Sequence, residues 1–196
     1  MQALVVLMLL AGAPFWEAKP PRQWTAEEMD AIFHESPWAK MLSLQTAIGN
    51  VPPVHVYLAT AKPMQEAELE AKRRLGNNRP AEDAADDEYR AFLRESGDKY
   101  IVLAVRLPDL NALADSKESR RMEEESFLRV GRKKHKIAGH FPPTPSDPYL
   151  RLVFPRAVEE QDKSLSFELY LPSAPAPYRS VEFQLKALYY KGKPEM

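Results

Sequence analysis

Apolar and polar residues alternate most clearly near the end of the chain. In KSLSFELYL (163–171) every second residue from Leu165 is apolar, which predicts a strand with one buried and one solvent-facing side. SVEFQLKALYYKGK (180–193) repeats the alternation at Val181, Phe183, Leu185 and Ala187. Since the proline-rich PSAPAPY lies between the two runs, they predict an antiparallel hairpin.

Five further segments also have the length and composition of strands. KYIVLAVRLP (99–108) is almost continuously apolar, which is typical of a central strand covered on both faces. YLRLVFPR (149–156) predicts another strand, and SFLRVGRKKHKIAG (126–139) predicts two short strands around a basic turn. Weak alternation from Met41 to Thr46 and again in VHVYLATA predicts a hairpin that turns at Gly49–Pro53.

The segment WTAEEMDAIFHESPWAK (24–40) carries the signals of one short helix. Thr25 and Glu28 form a capping box, and Trp24 and Met29 have the spacing of a hydrophobic staple. Pro37 ends the helix because it disfavours helical geometry in the residue before it. This assigns a structural role to most of the segment but leaves His34 and Trp38 without one.

Helical periodicity predicts the remaining elements. PMQEAELEAKRRLGNN (63–78) has acids early, bases late and Gly76 at its end, as a helix should. The acidic loop PAEDAADDE leads into a short helix around Tyr89 that closes at Gly97, and DLNALADSKESRRMEEE (109–125) reads as a further helix. The predicted fold is therefore α+β, with a single largely antiparallel sheet of about six strands and three or four helices packed on one face.

Length, charge and composition narrow the class of protein. The 196 residues suffice for one well-buried core, so a single domain is expected over 24–196. The 27 basic and 28 acidic residues balance, which gives no long-range field for nucleic acid or an anionic bilayer. The absence of cysteine excludes disulfides, thiol catalysis and thiolate metal sites.

The N-terminal run from Ala3 to Trp16 resembles a secretory signal. It is shorter than the roughly 20 residues that cross a bilayer, and small residues follow its apolar core. We expect residues 1–18 to be a signal peptide, residues 19–23 a lead-in, and the product to be exported to the periplasm or outside, without a transmembrane span in the mature chain. The alternative is a retained amphipathic or buried N-terminal helix.

Familiar catalytic strings are missing from the sequence. It has no GxSxG, GxxxxGK[ST], GxGxxG or HExxH, and no cofactor is expected. A metal site could combine His140 with Asp147 or His34 with Glu35, but the spacing does not support either pair. The acidic residues Asp83, Asp86, Asp87 and Glu88 lack the glycine of a calcium loop, so helix capping by Asp83 or Asp86 explains them better.

The turn RVGRKKHKI concentrates positive charge within eight residues. Such a turn could bind phosphate, polysaccharide or lipid headgroups, but the aromatic residues that stack bases are not interleaved with it, so no specific nucleic acid is expected. A solvated hairpin tip is the alternative. The candidate contact surface comprises Trp38, His34, Arg129, Arg132, Lys133, Lys134 and Lys136, whereas Trp24 is expected to be buried.

Four motifs together resemble an uncharacterised family of small exported bacterial proteins of acidobacterial type. They are the WT…SPWA helix, LVFPR, KSLSFEL and VEFQLKALYYKGKPE, where Leu188 replaces the methionine of the family pattern. Residues 62–126 are more helical and more charged than that pattern. The resemblance implies export and a shared fold, but the family has no assigned activity, so no catalytic residue can be transferred.

These observations favour a non-catalytic, exported binding or structural module of the cell envelope. Its partner would be an unknown envelope protein or a small ligand. Two alternatives stay open. One is an extracytoplasmic hydrolase of unfamiliar type that uses acidic residues and a histidine such as His34 or His140, and the other is a polyanion binder that uses the basic turn 129–136.

Overall fold

Five α-helices are present in the part of the chain that the structure describes. The structure is a computed structural model, and it describes residues 13–46, 49–76, 84–107 and 109–196. The helices are α1 (Phe15–Ala18), α2 (Ala26–His34), α3 (Lys62–Leu75), α4 (Ala84–Ser96) and α5 (Ser116–Glu125). Short 3-10 turns span Pro21–Gln23 and Leu185–Ala187.

The strands form two main antiparallel sheets instead of the single sheet that we predicted. The strands are β1 (Ala39–Thr46), β2 (Gly49–Leu58), β3 (Tyr100–Arg106), β4 (Phe127–Val130), β5 (Lys133–Lys136), β6 (Gly139–Phe141), β7 (Tyr149–Pro155), β8 (Ser164–Tyr170), β9 (Tyr178–Gln184), β10 (Tyr189–Tyr190) and β11 (Lys193–Pro194). One sheet has the order β1-β2-β3-β7-β6 and the other the order β5-β4-β8-β9, while β10 and β11 form a small ribbon. The α+β class is confirmed, and the single six-stranded sheet is wrong.

The two sheets bury their apolar sides against each other. Phe154 of β7 contacts Phe167 of β8 with ring centroids 5.3 Å apart, and Phe167 in turn contacts Phe183 of β9 at 6.0 Å. Alternation along a strand tells which side is buried but not which element covers it. The sequence pattern therefore could not separate one large sheet from two stacked ones.

Helices cover the other side of the five-stranded sheet. Tyr57 of β2 contacts the ring of Phe33 in α2 and donates a hydrogen bond of 2.6 Å to Glu68 in α3. The guanidinium of Arg151 in β7 lies 4.3 Å from the ring centre of Tyr89 in α4. β3 lies third in the order of five strands and is buried over Ile101–Val105, which confirms the prediction of a central strand.

The N-terminal signals of α2 act as predicted. The Thr25 hydroxyl accepts from the Glu28 backbone at 3.2 Å, and the Glu28 carboxylate accepts from the Thr25 backbone at 2.9 Å. Trp24 is 3% exposed and Met29 is buried beside it. The capping box and the burial of Trp24 are thus confirmed.

Several element boundaries differ from the predicted ones. β2 begins at Gly49, which pairs with Thr46, so the chain does not turn over Gly49–Pro53. α5 begins only at Ser116, because the Asp115 side chain caps it by accepting from Lys117. β9 ends at Gln184 and a 3-10 turn follows, so Ala187 is exposed instead of buried. Residues 1–12 of the predicted signal, Asp83 and Asn77 lie outside the described residues.

The segment from Leu188 to Met196 closes over the beginning of the fold. The Trp38 indole donates to the carbonyl of Glu195 at 2.8 Å across 157 positions of sequence. The Tyr190 hydroxyl donates to Glu66 at 2.9 Å, and the Glu195 side chain accepts from the Lys62 backbone at 3.1 Å. These bonds join the last residues of the described chain to the starts of β1 and α3.

Candidate functional site

A cavity of about 320 Å³ opens where β2 loses contact with β3. Among the described residues, β2 pairs with β3 over Val56–Leu58, and the preceding part of β2 has no strand partner there on that side. The end of α2, the start of β9 and the loop between β8 and β9 close the space. We name it the His–Arg cavity after its four basic residues, which are His34, His55, Arg106 and Arg179.

The rest of the described cavity lining is apolar. Met41 lies opposite His55 across the β1–β2 pair. The other apolar lining residues are Pro53, Val54, Leu107, Ala174 and Pro175. None of the lining residues in the described part of the chain is acidic. A partly open concave space with apolar walls and a few convergent polar groups is the usual form of a ligand site.

His55 is buried and held on both ring nitrogens. Its Nε2 hydrogen-bonds the Phe33 carbonyl, and its Nδ1 lies 3.0 Å from the Tyr149 hydroxyl. Because a carbonyl can only accept, Nε2 carries the proton and Nδ1 accepts from Tyr149. Burial lowers the pKa of His55, the bond to Phe33 opposes this, and the nearby charges of His34 and Arg106 lower it further. His55 is therefore a neutral wall of the cavity at pH 7.

His34 lies at the mouth of the His–Arg cavity. Its ring is tilted over that of His55 with centroids 4.8 Å apart. Nδ1 is 2.9 Å from the Asp30 carbonyl and 3.1 Å from the Asp30 carboxylate, which leaves Nε2 free to face a ligand. As the last residue of α2, His34 is positioned by the same proline stop that ends the helix.

Arg179 is the most unusual group of the cavity. It is 7% exposed, and its terminal nitrogens donate to the carbonyls of Pro175 and Ala176 in the neighbouring loop. Its Nε is buried and has no hydrogen-bond partner among the described residues. Burial also lowers the pKa of Arg179. Arg151 also has a buried Nε without a partner, so what distinguishes Arg179 is its charge, which meets no carboxylate among the described residues. A buried charge without an opposite charge is costly, so the arrangement favours a ligand that interacts with it.

Arg106 supplies a second guanidinium from the end of β3. Its side chain is exposed and lies close enough to Tyr149 to affect that phenol. Burial raises the pKa of Tyr149, while the positive charge of Arg106 opposes the rise. The phenol therefore stays protonated and keeps its proton directed at His55.

Trp38, which we predicted to be a surface contact residue, is fully buried. It is 0% exposed and contacts the rings of Trp16 and Tyr190, at 5.9 Å and 6.4 Å. The prediction was wrong because the residues that cover Trp38 lie far away in the sequence, in the segment Leu188–Met196. Of the predicted contact residues, only His34 lines the His–Arg cavity.

The basic turn is a hairpin between β4 and β5, as predicted, and its charges are largely paired. Arg129 and Lys134 both contact Glu168, at 2.7 Å and 3.0 Å, and Lys133 contacts Glu159. Their nitrogens already have acidic partners from β8 and the loop before it. Arg132 and Lys136 are exposed on the same hairpin. The five residues lie apart from the His–Arg cavity.

The other residues considered for catalysis or metal binding do not come together. His140 lies 3.2 Å from Glu123, whereas Asp147 lies 2.7 Å from Arg151. No group of three or more histidine or acidic side chains in the described ranges could hold a metal ion. His140 and Asp147, a pair that the sequence spacing did not support as a metal site, thus have different partners.

A second buried polar cluster surrounds Arg151 on the helix side of the sheet. Glu68 contacts Arg151 at 3.1 Å and accepts from Tyr57, and Asp147 contacts the other side of the guanidinium. Burial opposes the charge of Arg151, but these carboxylates outweigh it and raise the pKa of Arg151. Its charge is matched within the fold, in contrast to that of Arg179.

Sequence reasoning missed His55, Arg106 and Arg179. A signal for Arg179 was present, because it falls on the same alternation as Val181 and Phe183 and so had to point inward. Arginine at an inward position of an amphipathic strand needs a partner or a ligand. His55 likewise lies two positions before Tyr57 in β2 and so shares its face of the strand, but the sequence could not show which residues cover His55.

Comparison with known proteins gives no match from which a role for the site could be inferred. No protein-family model, no curated protein and no solved structure matches this chain. The resemblance to the acidobacterial-type family stays a prediction. Within the described ranges, no helix combines the length and the apolar character that a membrane span requires.

Proposed function

We propose that this protein is a non-catalytic binding module that takes up a small ligand in the His–Arg cavity. The observation that carries the proposal is the buried Arg179 in the cavity wall, whose guanidinium meets only neutral carbonyls among the described residues. A cavity of about 320 Å³ falls in the range of small-molecule sites, about 300–1,000 Å³. Its apolar walls would bury the body of such a ligand.

The contents of the cavity support binding more than hydrolysis. His55 uses both ring nitrogens to hold Phe33 and Tyr149, so it is not free to move a proton to a substrate. His34 has Asp30 beside it, but the described lining offers neither a hydroxyl nor a thiol nucleophile. A hydrolase of this design would have to bring water to a largely apolar space.

The polyanion alternative has less support than the cavity. A phosphate chain would have to displace Glu168 from Arg129 and Lys134, and Glu159 from Lys133. Exposed pairs of this kind contribute little to stability, about 0–1 kcal/mol each, but they reduce the positive field of the turn. A ligand in the cavity meets no such competition.

Export to the periplasm or the extracellular space is part of the proposal. It rests on the apolar run from Ala3 to Trp16 and on the small residues that follow its core. The ligand would then be a small molecule of the cell envelope, or a group displayed by an envelope protein.

The proposal is tested by screening small molecules against the protein with ligand-observed NMR. Ala174→Trp should fill the cavity from the β8–β9 loop, and Ala187→Trp, at an exposed position outside it, serves as the matched control. We expect hits whose binding is lost in Ala174→Trp and kept in Ala187→Trp, while circular dichroism shows both variants folded. Hits that bind both variants equally would contradict the proposal.

A further inference from the structure

We infer that the ligand of the His–Arg cavity carries an anionic oxygen group, a carboxylate or a phosphate, that Arg179 and Arg106 receive. The inference rests on the proposed function and deepens it by naming the chemical class of the ligand. It starts from the charges around the cavity: two guanidinium groups line it, and no acid of the described lining offsets them.

The hydrogen bonds of Arg179 also support an anionic ligand. Guanidinium groups in protein interiors are normally matched by carboxylates, as Arg151 is by Glu68 and Asp147. Arg179 is also buried, but among the described residues it donates only to loop carbonyls, which carry no net charge. Its positive charge therefore lacks an opposite charge in the described part of the chain, and an anionic oxygen at the cavity wall supplies one.

The loop that Arg179 holds is part of the same wall. Pro175 accepts from Arg179 and also lines the cavity, and Ala176 beside it has a positive φ of 51°. The guanidinium is thus fixed in place before a ligand arrives. A donor that is already oriented loses little conformational freedom on binding, which favours affinity.

The apolar walls of the cavity indicate the chemical character of the rest of the ligand. Met41, Val54 and Leu107 offer no hydrogen bonds to a second polar group, so the body attached to the anion should be apolar. A hydrophobic ring with one acidic substituent has this character. Benzoate and phenyl phosphate are suitable probes, and benzamide is the neutral counterpart of benzoate with the same shape.

The experiment compares these probes by titration calorimetry or NMR with the full chain. We expect benzoate or phenyl phosphate to bind at least about tenfold more tightly than benzamide, since hydrogen bonds to a charged acceptor are the stronger ones. Whichever of the two anions binds more tightly shows whether the cavity prefers a carboxylate or a phosphate. Arg106→Gln should weaken the anion at least about fivefold and leave benzamide unchanged, while Arg132→Gln, on the distant basic hairpin, should change neither.

Three results overturn the inference in different ways. Equal affinity for benzoate, phenyl phosphate and benzamide in the His–Arg cavity would refute the preference for an anionic ligand but would leave the proposed binding function in place. Equal weakening by Arg106→Gln and Arg132→Gln shows that the anion responds only to the overall charge. If no probe binds and no screened compound is lost in Ala174→Trp, the proposed function fails as well. Arg106 is the test position because Arg179→Gln would also release the loop.

Discussion

Replacing Trp38 by phenylalanine tests how the N-terminal part of the fold is held. The change keeps an aromatic ring but removes the donor to the Glu195 carbonyl, 2.8 Å away. An unsatisfied buried carbonyl costs about 1–3 kcal/mol. The smaller ring also leaves about 40 Å³ of void, which at about 24 cal/mol per Å³ adds roughly 1 kcal/mol.

The free energy of unfolding should therefore fall by about 2–4 kcal/mol, which for a chain of this size lowers Tm by about 4–16 °C. Circular dichroism at 222 nm follows unfolding by urea and heat without depending on tryptophan emission. Trp16→Phe, measured like Trp38→Phe on the full 196-residue chain with residues 1–18 retained, is the control, because Trp16 is only half-buried and contacts Phe15 and Trp38 through its ring.

The reasoning fails if Trp38→Phe and Trp16→Phe lose the same stability. An independent check uses the double variant Trp16→Phe with Trp24→Phe, in which Trp38 is the last of the three tryptophans. Its emission should be shielded from acrylamide. Quenching as strong as that of free tryptophan would refute the burial of Trp38.

Two further predictions concern titrating groups. The folded-state pKa of His55 lies below its ordinary value of 6.5. The contribution of the neutral ring to the free energy of unfolding is therefore present above pH 6.5 and is lost as pH falls through the folded-state pKa. In urea titrations at several pH values, His55→Gln should lose less stability on acidification than the unaltered protein. Hydrogen bonds from Arg73 and Arg74 lower the pKa of Glu70 to about 2, although burial opposes them, so Glu70→Gln should cost about 1–2 kcal/mol at pH 7. That cost should shrink below pH 4.5 and vanish near pH 2, and an unchanged cost at low pH would contradict the ion pairs.

Local signals in the sequence predicted the elements that depend on neighbouring residues. Thr25 and Glu28 are three positions apart, so their capping box is visible in the sequence itself. Leu165, Phe167 and Leu169 alternate within one strand and are buried as expected. The prediction failed where the partner is remote, because nothing near Phe167 indicates that Phe154 of the other sheet will cover it.

The cavity illustrates the same limit. Its lining comes from α2, β1, β2, the end of β3 and the β8–β9 hairpin, and sequence spacing does not reveal that these meet. The basic turn was predicted to be a contact surface because its charges are adjacent in sequence. In the folded chain, Glu159 and Glu168 pair with several of these charges. Arg179 has no other charged residue beside it in the sequence, and it has no acidic partner within the described ranges of the fold.

The bond between Trp38 and Glu195 also has a kinetic consequence. A contact across 157 positions closes a very long loop, so it belongs among the last to form during folding. At a synthesis rate of about 5–20 residues per second, the ribosome needs about 8–30 s to add the intervening chain. Throughout that time the Trp38 indole lacks the ring of Tyr190 and the carbonyl of Glu195 that cover it in the folded protein, and a nascent chain in this state offers an apolar aromatic surface to chaperones before it can fold.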